Sequence, residues 1–484
     1  MSADGGLRRS ALRLAGAGAI EYGLQFVMPV ILVRCLDPVG FAEYRLLWLL
    51  SATMLALAPA FLPNSLFYFL PRAPNPAAQA RIIGNILLYL LLAAGVVGGI
   101  LSPWNPWLPP NVQGLLHHGG IWATLFLALW LLSAVFDTLP TAEMRSHWQA
   151  GATIGMAVLR TLMLGLAAWL THDVRWVLIG LVLLALIKLG LLAHYLLVAS
   201  PRRGLGLDWS VFRRQWAYVL PFAIGNGLFL LRLQADQWVV ASLMAPALYA
   251  SFSIATVLQP VATLLRQPVY NAMMPRLNQA FARHDFPQIR HLITHSNAAT
   301  AMFLLPVAGL FWVCAPEMVE IMYKKQNMAA APVMRVYLLG MMINAFAIGH
   351  VLPALNLGRF NTLNNGVVLL VSVALSLLGV HLFGLPGAAL GSVLGLAISE
   401  FWSATVVAAK LEMSVAALLS WRNLWPILLS TALALALVLL AGTRMPWTAW
   451  PVVLSKGTLY VLIWLPCFLA SGGKQQLERL RKLD

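Results

Sequence analysis

The sequence predicts an all-α polytopic membrane protein, on three observations. The first is composition: 60% of the 484 residues are hydrophobic and only 10% are charged, with a mean hydropathy of +0.80. Soluble domains do not have that balance. The second is a series of apolar runs of the roughly 20 residues that a helix needs to cross a hydrocarbon core. The third is a pattern that occurs twice. Pro38-Val39-Gly40-Phe41-Ala42-Glu43-Tyr44 and Pro246-Ala247-Leu248-Tyr249-Ala250-Ser251-Phe252 both read Pro-x-x-aromatic-Ala-x-aromatic, and they stand about 208 residues apart. Leu70-Pro71-Arg72 and Met274-Pro275-Arg276 echo one another downstream, each expected to end an apolar stretch. A duplicated membrane chain has the plan of transporters built from two halves around a central site.

Twelve spans are expected in the two repeats. The first six lie near Leu14 to Val33, Leu46 to Leu70, Ile82 to Leu101, Ile121 to Leu139, Ile154 to Leu170 and Trp176 to Val198. The next six lie near Trp216 to Val240, Leu248 to Val269, Ile293 to Val313, Val333 to Leu352, Val367 to Phe383 and Ala388 to Ala409. Two more, near Leu424 to Leu440 and Ala449 to Leu469, bring the total to about 14 transmembrane helices. Residues 1–205 form an N-terminal half, residues 206–414 a C-terminal half that holds the repeat, and residues 415–484 the last two spans with a basic tail.

Loop charge sets the expected orientation. Arg8, Arg9, Arg13, Arg72, Arg81, Arg145, Arg202, Arg203, Arg213, Arg214, Arg276, Arg283, Arg290, Arg359, Lys410, Arg422, Lys474, Arg479, Arg481 and Lys482 fall on one side. That is about 20 basic residues against about seven on the other. Basic loops stay cytoplasmic, so both termini are expected inside a bacterial cytoplasmic membrane. The same asymmetry accounts for most of the net charge of +16, so anionic lipid suffices as the partner and no nucleic acid is needed. Trp104, Trp107, Trp169, Trp176, Trp216, Trp421, Trp425, Trp447 and Trp450 stand at expected span ends, where an indole buries its ring and turns its N–H to headgroups.

Much chemistry is excluded. Loops are too short for a soluble catalytic domain, and no Gly-x-x-x-x-Gly-Lys-Ser/Thr loop is present for ATP. Cys35, Cys314 and Cys467 have no metal or redox spacing. His291 and His295 stand four apart in a wet basic loop and are a poor metal site. The expectation is a transporter, not an enzyme, with no cofactor and no metal.

Function must then rest on polar groups inside spans, where an ionised side chain costs about 2.5–3.5 kcal/mol and faces a cavity or a partner. Arg160, Lys188 and Arg232 fall near span centres and are candidate cavity cations. Arg266 lies nearer the cytoplasmic end of its span, where a cavity role and snorkelling compete, and Lys456 lies near an outer end, where snorkelling is expected. The matching acids are Glu21, Asp236 and Glu400. Glu21 and Gln25 share a face of the first helix, and Arg232 and Asp236 share one on the seventh. The second pair is either a self-neutralising ion pair or a site whose proton or sodium occupancy follows conformation. Glu21, with no basic residue within a turn, is the stronger coupling candidate.

The chain resembles the polysaccharide transporter branch of the multidrug/oligosaccharidyl-lipid/polysaccharide (MOP) exporter superfamily, which includes Wzx-type flippases. The residues that carry the resemblance are Leu36-Asp37-Pro38-Val39-Gly40-Phe41-Ala42-Glu43-Tyr44, Phe67-Tyr68-Phe69-Leu70-Pro71-Arg72, Leu231-Arg232-Leu233-Gln234-Ala235-Asp236-Gln237-Trp238-Val239-Val240 and Ala315-Pro316-Glu317-Met318-Val319-Glu320-Ile321-Met322-Tyr323. Ala42 stands where the family usually has glycine. The resemblance implies two seven-helix halves around a central cavity that move a lipid-linked oligosaccharide to the outer leaflet by alternating access. The residues independently suit that job, with Arg160, Lys188, Arg232 and Arg266 as cations for a polyprenyl-pyrophosphate and Glu21, Gln25 and Asp236 as the coupling site for a proton or sodium. The resemblance further implies a groove for the lipid tail beside the last two spans, and polysaccharide polymerase machinery as a partner. The alternative is a multidrug or other small-molecule exporter of the same superfamily.

Overall fold

A computed structural model of the chain describes residues 3–102, 105, 110–199, 205–419, 421–442 and 449–473. Trp104, Trp107, Trp447, Arg202, Arg203, Lys474, Arg479, Arg481 and Lys482, which entered the anchor and charge arguments, lie outside the described residues. Among those described, the secondary structure is helical and no strand occurs. The order is α1 (Ala3–Cys35), α2 (Pro38–Leu57), α3 (Leu66–Phe69), α4 (Pro76–Ile100), α5 (Pro110–Leu132), α6 (Leu139–Ala142), α7 (Ser146–Thr171), α8 (Val174–His194) and α9 (Trp209–Leu243). Then follow α10 (Pro246–Ala255), α11 (Gln259–Ala282), α12 (Phe286–Tyr323), α13 (Ala330–Asn344), α14 (Gly358–Phe383), α15 (Leu385–Lys410), α16 (Val415–Leu419), α17 (Trp421–Gly442) and α18 (Ala449–Phe468).

Twelve described helices are long and apolar enough to cross a membrane, so this is an integral membrane protein. Two further apolar stretches, Gly119–Leu132 and Ala330–Asn344, are shorter. They lie where the fourth and tenth spans are expected, and each helix stops early at a 3₁₀ turn, Ala134–Asp137 in one case and Gly349–Val351 in the other. Trp169, Trp176, Trp421, Trp425 and Trp450 are all exposed.

The repeated motif has a packing reason. Both copies open a helix with proline at its start, α2 at Pro38 and α10 at Pro246, a position where the missing N–H is not needed. Asp37 caps the first, its carboxylate accepting from the Gly40 N–H at 3.1 Å. The motif aromatics Phe41, Tyr44, Tyr249 and Phe252 are all buried, and so are Ala42 and Ala250 between them. The Tyr249 hydroxyl donates to the Arg45 carbonyl at 3.2 Å. The pattern recurs because the same two ring positions are core positions in both copies.

The chain packs into two compact units, Met1–Gln234 with Met244–Ala250, and Ala235–Leu243 with Ser251–Asp484. In the first, α1 lies on α7, and α5 joins α4 to α8. In the second, α14 and α15 form the closest pair. A Cβ on Gly379 or Gly387 would run into the other's backbone, and Gly391 faces Ser376 in the same way. Small residues let the two backbones touch, which is how helices associate where lipid provides no hydrophobic driving force. Asn364 adds a polar clasp, its amide donating to Ser399 Oγ at 2.9 Å and Ser403 Oγ at 3.2 Å.

The second span of each repeat is interrupted. In the first copy α2 ends at Leu57, Ala60 and Phe61 adopt positive φ (47° and 59°), and helix resumes through a 3₁₀ turn at Leu62–Ser65 into α3. The Ala58 carbonyl freed by the break accepts from the Tyr89 hydroxyl at 2.9 Å, meeting the demand that backbone groups in a membrane find partners. The second copy breaks more gently, through a 3₁₀ turn at Thr256–Leu258 between α10 and α11. One expectation fails here. Met274-Pro275-Arg276 does not end its helix as Leu70-Pro71-Arg72 does, because α11 stays helical to Ala282 and stops only where His284 turns to φ 53° and Asp285 caps α12.

Candidate functional site

Each candidate cation has a distinct setting. Arg160 on α7 sits with its guanidinium carbon 6.0 Å from the Trp48 ring of α2, itself stacked with Tyr44. Its Nη2 is buried and has no hydrogen-bond partner among the described residues. Arg donates only, so that nitrogen is a buried donor whose bond is unmade. Arg232 on α9 lies 5.5 Å from the Phe229 ring. Lys188 on α8 is buried, its ammonium 2.8 Å from Asp137 Oδ2 and 4.1 Å from the Trp130 ring.

Arg266 and Glu400, in the second unit, grip one turn. The Arg266 guanidinium donates to the Ala347 carbonyl at 3.3 Å and meets His350 Nδ1, while Glu400 Oε2 accepts from the N–H groups of Ile348 (2.7 Å) and Gly349 (2.9 Å). The end of α13 leaves carbonyls that need donors and the start of the 3₁₀ turn at Gly349–Val351 leaves N–H groups that need acceptors, and Arg266 and Glu400 supply one each. Glu400 also lines an apolar cavity of about 490 Å³ walled by Leu305, Leu339, Ile343, Leu428 and Leu435, with Thr431 as a further polar group.

The coupling candidates divide. Gln25 Nε2 donates to Glu21 Oε1 at 3.1 Å, so the shared face expected of these two residues is realised as a bond. Asp236 is buried, and its Oδ2 accepts from the Tyr337 hydroxyl at 2.7 Å. The structure thus joins Glu21 to Gln25 and sets Arg266 and Glu400 on one turn, whereas Arg160 and Lys188 each keep to their own aromatic partner.

Sequence reasoning missed Asp137, Trp130, Tyr337 and His350. Asp137 carried a readable signal, an acid inside the expected fourth span. Lys456 requires a correction. It does not snorkel: it is buried, with its ammonium 2.5 Å from Glu317 Oε1, because an acid one helix away reaches it before water does.

The inward closed conformation of the lipid II flippase MurJ superposes with a TM-score of 0.71 at 12% identity, covering 96% of this chain and 99% of that one. An inward-facing multidrug resistance MATE family transporter of the MOP superfamily gives 0.63 at 15% identity, covering 81% and 96%. The chain has the MOP exporter fold. A MOP superfamily transporter from Pyrococcus furiosus, whose binding pocket is described as reversed in polarity, gives a TM-score of 0.52 at 13% identity, over 84% and 96% of the two chains. Residues 121–332 match the model of a family described as polysaccharide biosynthesis protein. No curated protein matches the chain in sequence.

Proposed function

We propose that the chain is a secondary transporter that moves a lipid-linked oligosaccharide, a polyprenyl-pyrophosphate glycan, from the cytoplasmic to the outer leaflet for surface polysaccharide synthesis. One observation carries the reading. The segment that matches the polysaccharide biosynthesis family, residues 121–332, contains all four candidate cations, Arg160, Lys188, Arg232 and Arg266. A pyrophosphate is held by such groups where the dielectric is low. Arg160 is the first choice for it, since its Nη2 lacks an acceptor, whereas Lys188 is already neutralised by Asp137. The apolar cavity against α17 suits part of a polyprenyl tail, and Glu21, Gln25 and Asp236 carry the coupling proton or sodium. Both termini are cytoplasmic in this reading, and polymerase machinery receives the product.

Loss of the protein is expected to leave polyprenyl-linked repeat units on the cytoplasmic face and to deplete surface glycan, measured by mass spectrometry of lipid intermediates. Unchanged intermediates together with new sensitivity to cationic drugs would favour the multidrug alternative. In reconstituted vesicles Arg160→Gln should lower transport about tenfold or more while the protein still folds. Glu21→Gln should keep substrate binding yet remove the response to an imposed proton or sodium gradient. Normal transport by both variants under every gradient would refute these roles.

A further inference from the structure

The interruption of the second span has features that span-breaking alone does not require. Phe61 is held at φ 59°, where a bulky side chain is rarely found, and its ring stacks on Phe222 at 6.2 Å. Phe222 follows Pro221 inside α9, and that proline removes the helical hydrogen bond to the Ala217 carbonyl. A break in one helix therefore lies against a weakened turn in another. Between them Tyr68 and Tyr218 stack at 4.5 Å with an interplanar angle of 23°, and Phe69 closes edge-on against Tyr218 at 5.6 Å. Arg72 lies over the other part of this cluster, its guanidinium carbon 4.0 Å from the Tyr68 ring and its Nη1 donating to the Tyr68 carbonyl at 2.8 Å.

Tyr68 and Tyr218 remain more than a third exposed, at 38% and 39%. Their hydroxyls make no hydrogen bond among the described residues. Tyr218 covers one face of the Tyr68 ring and Arg72 the other, so the cluster offers two open hydroxyls and a guanidinium. Hydroxyls take the substituents of a pyranose, and a guanidinium takes an adjacent phosphate. We propose that this cluster is a saccharide subsite, in which the Tyr68 and Tyr218 hydroxyls hydrogen-bond the first sugar of the glycan while Arg72 meets the phosphate joined to it. The inference rests on the lipid-linked glycan reading above and adds to it a site for the sugar itself, at an end of the second span that loop charge places on the cytoplasmic side.

The test uses the full-length protein in lipid nanodiscs with two probes, a polyprenyl pyrophosphate and the same lipid carrying one N-acetylglucosamine. Wild type should bind the sugar-bearing lipid about tenfold tighter than the bare one. Tyr68→Leu and Tyr218→Leu should bring the two affinities within about twofold of each other without changing that for bare lipid, and Tyr68→Phe, which keeps the ring but not the hydroxyl, should do the same. Leucine variants that keep the full preference, or that weaken both lipids equally as a membrane anchor would, overturn the subsite. Wild type that binds both lipids equally overturns the subsite alone, whereas wild type that binds neither overturns the transport reading with it. If a leucine variant unfolds, competition in wild type decides: free methyl N-acetylglucosaminide must cut the affinity for the sugar-bearing lipid to that for the bare one, and no effect refutes the idea.

Discussion

Lys188 in the first unit and Lys456 in the second are both buried and both paired, yet they are held differently. Lys456 meets Glu317 inside the packing of α18 on α12, with 11% and 17% of the two side chains exposed. Lys188 meets an acid on the 3₁₀ turn after α5, and Asp137 is 54% exposed while the lysine is 4% exposed. Trp130 provides the second partner of Lys188. One pair is closed on both sides and the other opens through its carboxylate. A closed pair is limited to holding two helices together, whereas an open one can exchange its partner with water or an incoming anion.

The largest expected effect tests the closed side. Lys456→Ala leaves Glu317 buried, and Glu317 Oε2 already lacks a hydrogen-bond partner among the described residues. Removing one partner of such a pair costs about 3–5 kcal/mol, whereas replacing both with apolar residues is often near neutral. Thermal unfolding in detergent should show a large drop for Lys456→Ala and recovery in the double variant Lys456→Met with Glu317→Leu. Equal losses in the single and double variants would mean that the pair is not closed.

The open pair predicts an asymmetry. Asp137→Ala strands a buried ammonium that keeps only the Trp130 face and should cost about 1–3 kcal/mol. Lys188→Met leaves a carboxylate that is already more than half exposed and should cost less than about 1 kcal/mol. The same detergent unfolding assay compares them, and a larger loss for the lysine variant would reverse the assignment of which side is open.

Neither pair was legible as a pair. The all-α class, the apolar runs and the duplication could be read because composition, span length and ring spacing are properties of one strand of sequence. Phe41, Tyr44, Tyr249 and Phe252 are buried as a repeated core position should be. The partner of a buried charge depends instead on which helix faces which and at what height, and Asp137 and Lys188 are 51 residues apart while Glu317 and Lys456 are 139 apart. Lys456 looked like a snorkelling residue because its own span is all that the sequence shows. Glu21 and Gln25 were readable as neighbours, since a four-residue spacing on one helix fixes the contact locally. The turn gripped by Arg266 and Glu400 was invisible for the opposite reason, as it depends on α13 stopping at Asn344 and a 3₁₀ turn starting at Gly349, whose first N–H groups are met by a distant carboxylate.

The smallest effect comes from a third pair at the protein surface, which marks the open limit of the comparison. Arg81 and Asp208 approach to 3.3 Å. Asp208 precedes α9, and its Oδ1 accepts from the Ser210 N–H at 2.9 Å and the Val211 N–H at 3.2 Å. The Val211 N–H, with those of Ser210 and the Arg81 guanidinium, holds the Asp208 carboxyl below its ordinary range against a partly opposing effect of burial. A carboxyl depressed in the folded state binds fewer protons there than in the unfolded chain, so its stabilisation is fully present above the ordinary carboxylate range and is lost as pH falls through the depressed folded value. Asp208→Asn keeps a capping oxygen and the two backbone bonds between residue 208 and Asn85, at 2.9 and 3.0 Å, and removes only the charge. The variant should therefore unfold slightly below wild type at neutral pH, with the gap closing as pH drops below about 4. A gap that stays constant down to acid pH would show that the linker is held by Asn85 and the cap alone, and that the surface charge pair adds nothing.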